Sequence, residues 1–175
     1  VKALLAAKAK PDLLDEKGRT ALSYAAEKGD AACVNTLLAA KTDPNASRYN
    51  LPLHMAIDGN SPAIVEALLR ADADANRVAA ISYQERNGNK TAFECNPLYL
   101  AVSENNPEAV KLLLQFKADP NGIASTKEPV LFRAVGNIPI FKALLEAGAD
   151  ANLKDLNGAT VLMRTVGNAD AVRLL

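Results

Sequence analysis

The sequence contains no tryptophan, one histidine and two cysteines in 175 residues. A metal site or a hydrolase triad needs several such side chains in combination, and His54, Cys33 and Cys95 are too few and too far apart to form one. Because there is no CxxC pair, a disulfide framework is not expected. The expected location is the cytoplasm or another reducing intracellular compartment. No cofactor, metal ion or catalytic residue is predicted, so the chain is not expected to be an enzyme.

Charge of one sign and long apolar runs are also absent. Twenty basic and twenty acidic residues cancel, and no basic stripe marks a nucleic-acid surface. No apolar run approaches the ~20 residues that a membrane-spanning helix needs. The chain is therefore predicted to bind neither nucleic acid nor membrane. The chain is rich in Ala and Leu, which favour helices that pack closely in layers.

The sequence repeats itself. In each copy a leucine, which we call the marker, is followed by a short apolar run, a break, a second apolar run with a double leucine, and a loop that ends in Asn. The markers are Leu22, Leu53, Leu98, Leu131 and Leu162, and they are 31, 45, 33 and 31 residues apart. Each copy is too small to bury its own apolar residues, so the copies are expected to stack.

Several segments carry a recognisable pattern, namely Asp15-x-x-Gly18-x-Thr20, Leu51-Pro52-Leu53-His54, Gly148-Ala149-Asp150-Ala151-Asn152 and Asp155-x-x-Gly158-x-Thr160. Together they resemble the ankyrin repeat, which joins a β-hairpin loop to an antiparallel helix pair. The resemblance covers nearly the whole chain and implies an all-α repeat solenoid of stacked ankyrin repeats.

We predict a single array with these divisions. Residues 1–13 form the second helix of a partial repeat, and the full repeats span 14–45, 46–76, 77–121 and 122–152, with a truncated repeat at 153–175. Because both end units are incomplete, the natural chain is expected to continue beyond them. Pro62, Pro107 and Pro139 fall in the first turn of their second helices, where the missing N–H is not needed.

One hairpin is enlarged. Between Asn76 and Leu98 the chain is about twelve residues longer than between Asn152 and Leu162, which places an insertion at about 77–96. Asn87-Gly88 is a tight-turn dipeptide, so a lengthened β-hairpin is predicted. A neutral surface loop, a binding element and a shield over the core all remain open as its role.

The three residues with reactive side chains are given structural roles. The resemblance implies that the His54 imidazole hydrogen-bonds neighbouring turn backbone. Cys33 is predicted to be a small buried residue on the inward face of its helix. Cys95, within the insertion, is predicted to be the more exposed thiol.

The resemblance also implies that hairpin tips and first helices line a concave groove that binds other proteins. The residue two positions after each marker is the predicted contact, which gives a ladder of Tyr24, Met55, Leu100, Arg133 and Arg164. Tyr, Met and Arg are favoured at interface centres, although Met55 and Leu100 could instead pack between layers. The predicted rim comprises Glu16, Lys17, Arg19, Arg48, Tyr49 and Tyr83, with Lys127, Lys154 and Asp155 beside it, and the alternative for each is a solvated surface residue.

The sequence therefore predicts a monomeric, non-catalytic scaffold for protein–protein interaction, whose partner it does not identify. The alternative is a targeting or regulatory arm of a larger enzyme or of a secreted bacterial effector, with its catalytic domain outside this chain. In the effector case the host cytosol would be the compartment.

Overall fold

The computed structural model describes residues 1–84 and 90–175, with side chains described for residues 1–80 and 94–175. Short helices come in consecutive pairs, separated by hairpins. The first helices are α2 (Ala21–Glu27), α4 (Pro52–Asp58), α6 (Pro97–Ser103), α8 (Val130–Arg133) and α10 (Val161–Arg164). The second helices are α3 (Ala31–Ala39), α5 (Pro62–Arg70), α7 (Pro107–Gln115), α9 (Ile138–Glu146) and α11 (Ala169–Leu174), and α1 (Lys2–Ala6) precedes them all.

Helices of one kind stack on each other. Each first helix contacts the next first helix along the chain, and each second helix contacts the next second helix. The hairpins stack alongside, and we number them by residues: hairpin 1 is 15–20, hairpin 2 is 46–51, hairpin 3 is 77–96, hairpin 4 is 122–129 and hairpin 5 is 153–160. This layered arrangement is the predicted repeat solenoid. The ends of the individual repeats stay a prediction.

The core lies between successive pairs rather than around one centre. Leu22, Leu53, Leu98 and Leu131 are all buried, as their shared place in the repeat requires. Leu162 is different, because it is 53% exposed on a side of α10 that no described helix covers. The preceding residue, Val161, is fully buried instead.

The helix starts follow local chemistry. Asn106, Asn137 and Asn168 each accept a hydrogen bond from a backbone N–H in the first turn of their second helix, which satisfies a donor that the helix itself cannot. The expected prolines stand at the first turns of α5, α7 and α9. The first helices α8 and α10 have 4 residues, whereas α2 has 7.

The predicted lengthened hairpin is confirmed in its strands. β1 (Ala79–Gln84) and β2 (Lys90–Cys95) pair antiparallel, from Ala79 opposite Cys95 to Gln84 opposite Lys90. The predicted Asn87-Gly88 turn lies outside the described residues. Elsewhere, none of the helices in residues 1–84 and 90–175 has the length and apolar character that crossing a bilayer requires.

Loop asparagines tie successive repeats together. Asn45 accepts a hydrogen bond from the Asp74 backbone N–H at 2.9 Å and donates one to the Asp72 carbonyl at 2.8 Å. Asn76 makes the equivalent pair of bonds to the Asp119 N–H and the Lys117 carbonyl. The recurring loop Asn is therefore an inter-repeat contact.

We predict that Asn45→Ala lowers the free energy of unfolding by about 1 to 2 kcal/mol, because two hydrogen bonds to the next repeat are lost. Chemical denaturation of purified protein measures this. The matched control is Asn35→Ala, on the exposed surface of α3, which should be neutral or slightly stabilising since Ala favours helix. Equal destabilisation by both changes would contradict the inter-repeat role.

Candidate functional site

In repeats 1 to 3 the residue that follows the marker reaches the next hairpin. Ser23 Oγ hydrogen-bonds Ser47 Oγ in hairpin 2. The Tyr99 hydroxyl donates to the Glu128 carboxylate in hairpin 4 at 2.9 Å. Each of these bonds joins the first helix of one repeat to the hairpin of the next, so hairpins and first helices form one continuous surface. We call it the hairpin-side surface: the tips of hairpins 1–5 with the exposed sides of the first helices.

His54 makes the same connection from repeat 2. Its Nε2 lies 3.1 Å from the carbonyl oxygen of Cys95, at the base of hairpin 3, so Nε2–H donates to that carbonyl. This is the backbone contact that the sequence predicted. The side chain is 1% exposed, and this burial lowers the imidazole pKa from 6.5 to about 4, despite the opposing effect of the Cys95 carbonyl.

This pKa predicts acid sensitivity. Between pH 6.5 and 4 the unfolded chain takes up a proton at His54 that the folded protein does not, so stability falls as the pH falls through this window, by about 3 kcal/mol in total. His54→Gln keeps a donor for the Cys95 carbonyl but does not titrate. The stability of wild type relative to this variant should therefore drop by about 3 kcal/mol from pH 7 to pH 4.

The same chain offers a direct check. His54 is the only histidine, so one imidazole signal in an NMR titration of the folded protein reports its pKa. A midpoint near the ordinary 6.5 would show that the side chain is solvated and would contradict the buried contact.

The predicted ladder divides into accessible and inaccessible positions. Tyr24 is 39% exposed, Arg133 and Arg164 are exposed, and Met55 is half-buried. Leu100 is 2% exposed and packs between the layers, which was the alternative for this position. Leu100 therefore drops out of the candidate contact residues.

Tyr24 belongs to a cluster with hairpin 1. The Arg19 guanidinium carbon lies 3.9 Å from the centre of the Tyr24 ring, and a guanidinium N–H donates to the Tyr24 hydroxyl. That hydroxyl donates to Asp15 at 2.7 Å. Hydrogen bonds from the Arg19 backbone N–H first, and then from Tyr24, hold the pKa of the Asp15 carboxyl below its ordinary value. The Arg19 side chain is only 12% exposed, so it positions Tyr24 and is not a rim residue.

Arg133 lies against the preceding repeat. Its guanidinium carbon is 5.9 Å from the centre of the Tyr99 ring and its Nε is 3.7 Å from the Glu128 carboxylate. Because the Tyr99 hydroxyl bonds the same carboxylate, the three side chains are held together. Burial above all, with a smaller contribution from the Glu128 hydrogen bond, raises the pKa of Tyr99 to about 12.

Arg164 repeats this arrangement one layer on. Its guanidinium carbon is 5.6 Å from the Phe132 ring centre, and Nη2 donates to Asp155 at 2.7 Å. The Arg164 hydrogen bond is the main reason that the pKa of the Asp155 carboxyl is lowered. Asp155 is itself only 5% exposed at its side chain, so it positions Arg164 rather than forming rim.

A small cleft opens between these two arginine clusters. It has a volume of 180 Å³ and is lined by Thr126, Glu128, Asp155, Leu156, Asn157 and Arg164. Sequence reasoning missed Tyr99, Phe132 and Glu128. A signal was available for two of them, because Tyr99 and Phe132 stand at the position of His54, one residue after the marker.

Of the predicted rim, Glu16, Lys17, Arg48 and Tyr49 are exposed at the tips of hairpins 1 and 2. Lys127 and Lys154 are exposed on hairpins 4 and 5. Tyr83 lies in β1, and its side chain is outside the described side chains. Across the part of the chain that the structure describes, no three His, Cys, Asp or Glu residues come together as a metal site would need.

The prediction for Cys95 is wrong. Its side chain is 0% exposed, and burial raises the pKa of the thiol to about 12. The residue ends β2 at the base of the insertion, where the hairpin joins the stacked helices instead of projecting from them. Cys33, predicted to be buried, is partly exposed at the start of α3, and a hydrogen bond to Asp30 raises its thiol pKa.

Thiol labelling of the folded protein tests this assignment. Because only accessible thiolate reacts, Cys33→Ala should label with an aromatic disulfide reagent about tenfold or more slowly than Cys95→Ala. In denaturant the two variants should react alike. Faster labelling of Cys95 in the folded protein would contradict its burial.

The stacked helix pairs and hairpins define a helical repeat protein. A family model described as ankyrin repeats (3 copies) matches residues 1–79 and again residues 78–155. The chain belongs to the ankyrin repeat family, as its sequence predicted. No curated protein sequence matches it.

Among solved structures, the chain is similar to the ankyrin repeat domain of Bcl-3, which is described as a unique member of the IkappaB protein family. The TM-score is 0.80 and the sequence identity is 28%, over 99% of this chain and 75% of that one. Ankyrin repeats are generally protein–protein interaction modules.

Proposed function

We propose that this chain is a non-catalytic module that binds a partner protein through the hairpin-side surface, with Arg133, Arg164 and Tyr24 as its principal contacts. The observation that carries the proposal is the pair of exposed arginines, each held between an aromatic ring and a carboxylate. Met55 is half-buried and belongs to repeat 2, which follows the repeat of Tyr24 and precedes those of the arginines. It would contribute an apolar contact.

The arginine clusters suit binding for an energetic reason. A free arginine side chain loses rotamer freedom when a partner immobilises it, which costs about 0.5–1.5 kcal/mol. Arg133 and Arg164 are already restrained by Tyr99 with Glu128 and by Phe132 with Asp155, so less of that cost remains. Both arginine side chains are still about half exposed, at 46% and 48%, and can contact a partner.

Charge gives this surface a direction. Lys127 and Lys154 are exposed on the hairpins beside Arg133 and Arg164, so repeats 4 and 5 present four exposed cations, against two, Lys17 and Arg48, on hairpins 1 and 2. Tyr24, Tyr49 and Met55 lie at repeats 1 and 2. A partner segment that fits would place acidic groups against repeats 4 and 5 and apolar groups against the other end, which sets its orientation.

We predict that Arg133→Ala combined with Arg164→Ala reduces retention of the partner by about tenfold or more, because two preformed contacts are lost. Affinity capture from cell lysate with quantitative mass spectrometry measures this against the wild-type chain. The melting temperature should change little, since both side chains are exposed.

The matched control is Arg70→Ala combined with Lys142→Ala. These two cations are exposed on second helices, where each pairs with a glutamate four residues away, so the same net charge is removed from another surface. Retention by this control should equal that of wild type. A partner lost equally from both double variants, or lost together with thermal stability, would contradict the proposal.

A further inference from the structure

Hairpin 3 extends beyond its neighbours. At its base, the Glu94 N–H donates to Ser125 Oγ at 3.0 Å, and the Ser125 N–H donates to the Glu94 carbonyl at 2.8 Å. On the other side, the Arg77 guanidinium donates to the carbonyls of Asn45 and Ser47. Four further cross-strand pairs lie beyond the Glu94–Ala80 pair, so the ribbon projects by about 13 Å at 3.3 Å per residue.

The contacts of Glu94 establish which backbone groups face outward. In an antiparallel pair, the N–H and C=O of one residue point to the same side, and this side alternates along the strand. Because both Glu94 groups bond Ser125, they point away from β1. The backbone N–H and C=O of its partner Ala80 therefore point away from β2. The same holds for the backbone groups of Ser82 and Gln84, two and four residues further on.

The outer edge of β1 is the side of the strand that faces away from β2. Among the described residues, none outside the ribbon pairs with it as a strand. Edge strands of natural proteins are commonly protected by charged residues, proline or a bulge. β2 carries Lys90 and Glu94, whereas the sequence of β1, AAISYQ, has no charge, proline or glycine.

We propose that the outer edge of β1 binds an extended acidic segment of a partner protein, which pairs as a third strand through the backbone of Ala80, Ser82 and Gln84. This inference rests on the proposed function only in taking the occupant to be a protein. It concerns a surface separate from the arginine clusters, so the two can fail independently.

The acidic character of the segment follows from the hairpins on that side. Arg48 is exposed at the tip of hairpin 2 and forms no ion pair with a described residue, whereas the exposed Lys17 of hairpin 1 is balanced by its exposed neighbour Glu16. Arg48 directly follows Ser47, which is bonded to Arg77 at the base of β1. An acidic strand added at this edge would neutralise Arg48, whereas a basic one would be repelled.

The test selects binders from a random 12-residue peptide library displayed on phage, using the whole chain as bait. Synthetic copies of the enriched peptides are then measured by fluorescence anisotropy. Ser82→Pro removes the outward N–H, whereas Ser82→Ala keeps it and removes only the hydroxyl. We expect enrichment of acidic peptides that lose about tenfold or more in affinity for Ser82→Pro and bind Ser82→Ala as they bind wild type.

Ala92→Pro provides the matched control, because Ala92 is opposite Ser82 and its N–H faces outward on the β2 edge. It should leave peptide affinity unchanged, and Arg48→Ala should weaken it. Circular dichroism and melting temperature verify that each variant is folded.

The proposal is overturned if no acidic peptide is enriched, if Ser82→Pro binds as wild type does, or if both proline variants lose affinity equally. Peptides that lose affinity only for the Arg133→Ala, Arg164→Ala variant would place the contact on the hairpin-side surface instead. That result would reject the strand addition and leave the proposed function standing.

Discussion

No helix pair of this chain can bury its apolar residues by itself, and the whole structure depends on that constraint. Leu22, Leu53, Leu98 and Leu131 are buried only because the neighbouring pair covers them. The hydrophobic effect therefore acts between repeats and fixes the distance and register at which they stack. Loop asparagines such as Asn45 and Asn76 add directional bonds across the same boundary. Stability and surface geometry thus have one origin.

The candidate binding surface is a consequence of this stacking. Arg133 is positioned by Tyr99 from the repeat before and by Glu128 from its own hairpin, so neither repeat alone could hold it. Arg164 depends in the same way on Phe132. A change that loosens the contact between repeats would disturb these arginines even if it lay far from them. This coupling is why the proposed tests pair each binding measurement with a measurement of stability.

The insertion is tolerated because it lengthens a hairpin, which lies outside the stacked helix layers. Hairpins lie beside the stacked helices, so added residues need not separate one repeat from the next. The base of hairpin 3 nevertheless belongs to the core, through buried Cys95 and its carbonyl bond to His54. Ser125 and Arg77 fasten the base on either side. An anchored base with a projecting ribbon is the combination that the proposed strand addition requires.

The sequence by itself determined the repeat frame, the order of helices and the strands of the insertion. Those features follow from patterns within a repeat, such as the marker leucines and the prolines at 62, 107 and 139. Only the tertiary structure decided that Leu100 and Cys95 are buried, that Leu162 is exposed, and that Tyr99 holds Arg133 beside Glu128. Each of these depends on which side chains of one repeat meet those of the next. That register is set by packing between distant parts of the chain, and a periodic pattern read along one repeat does not contain it.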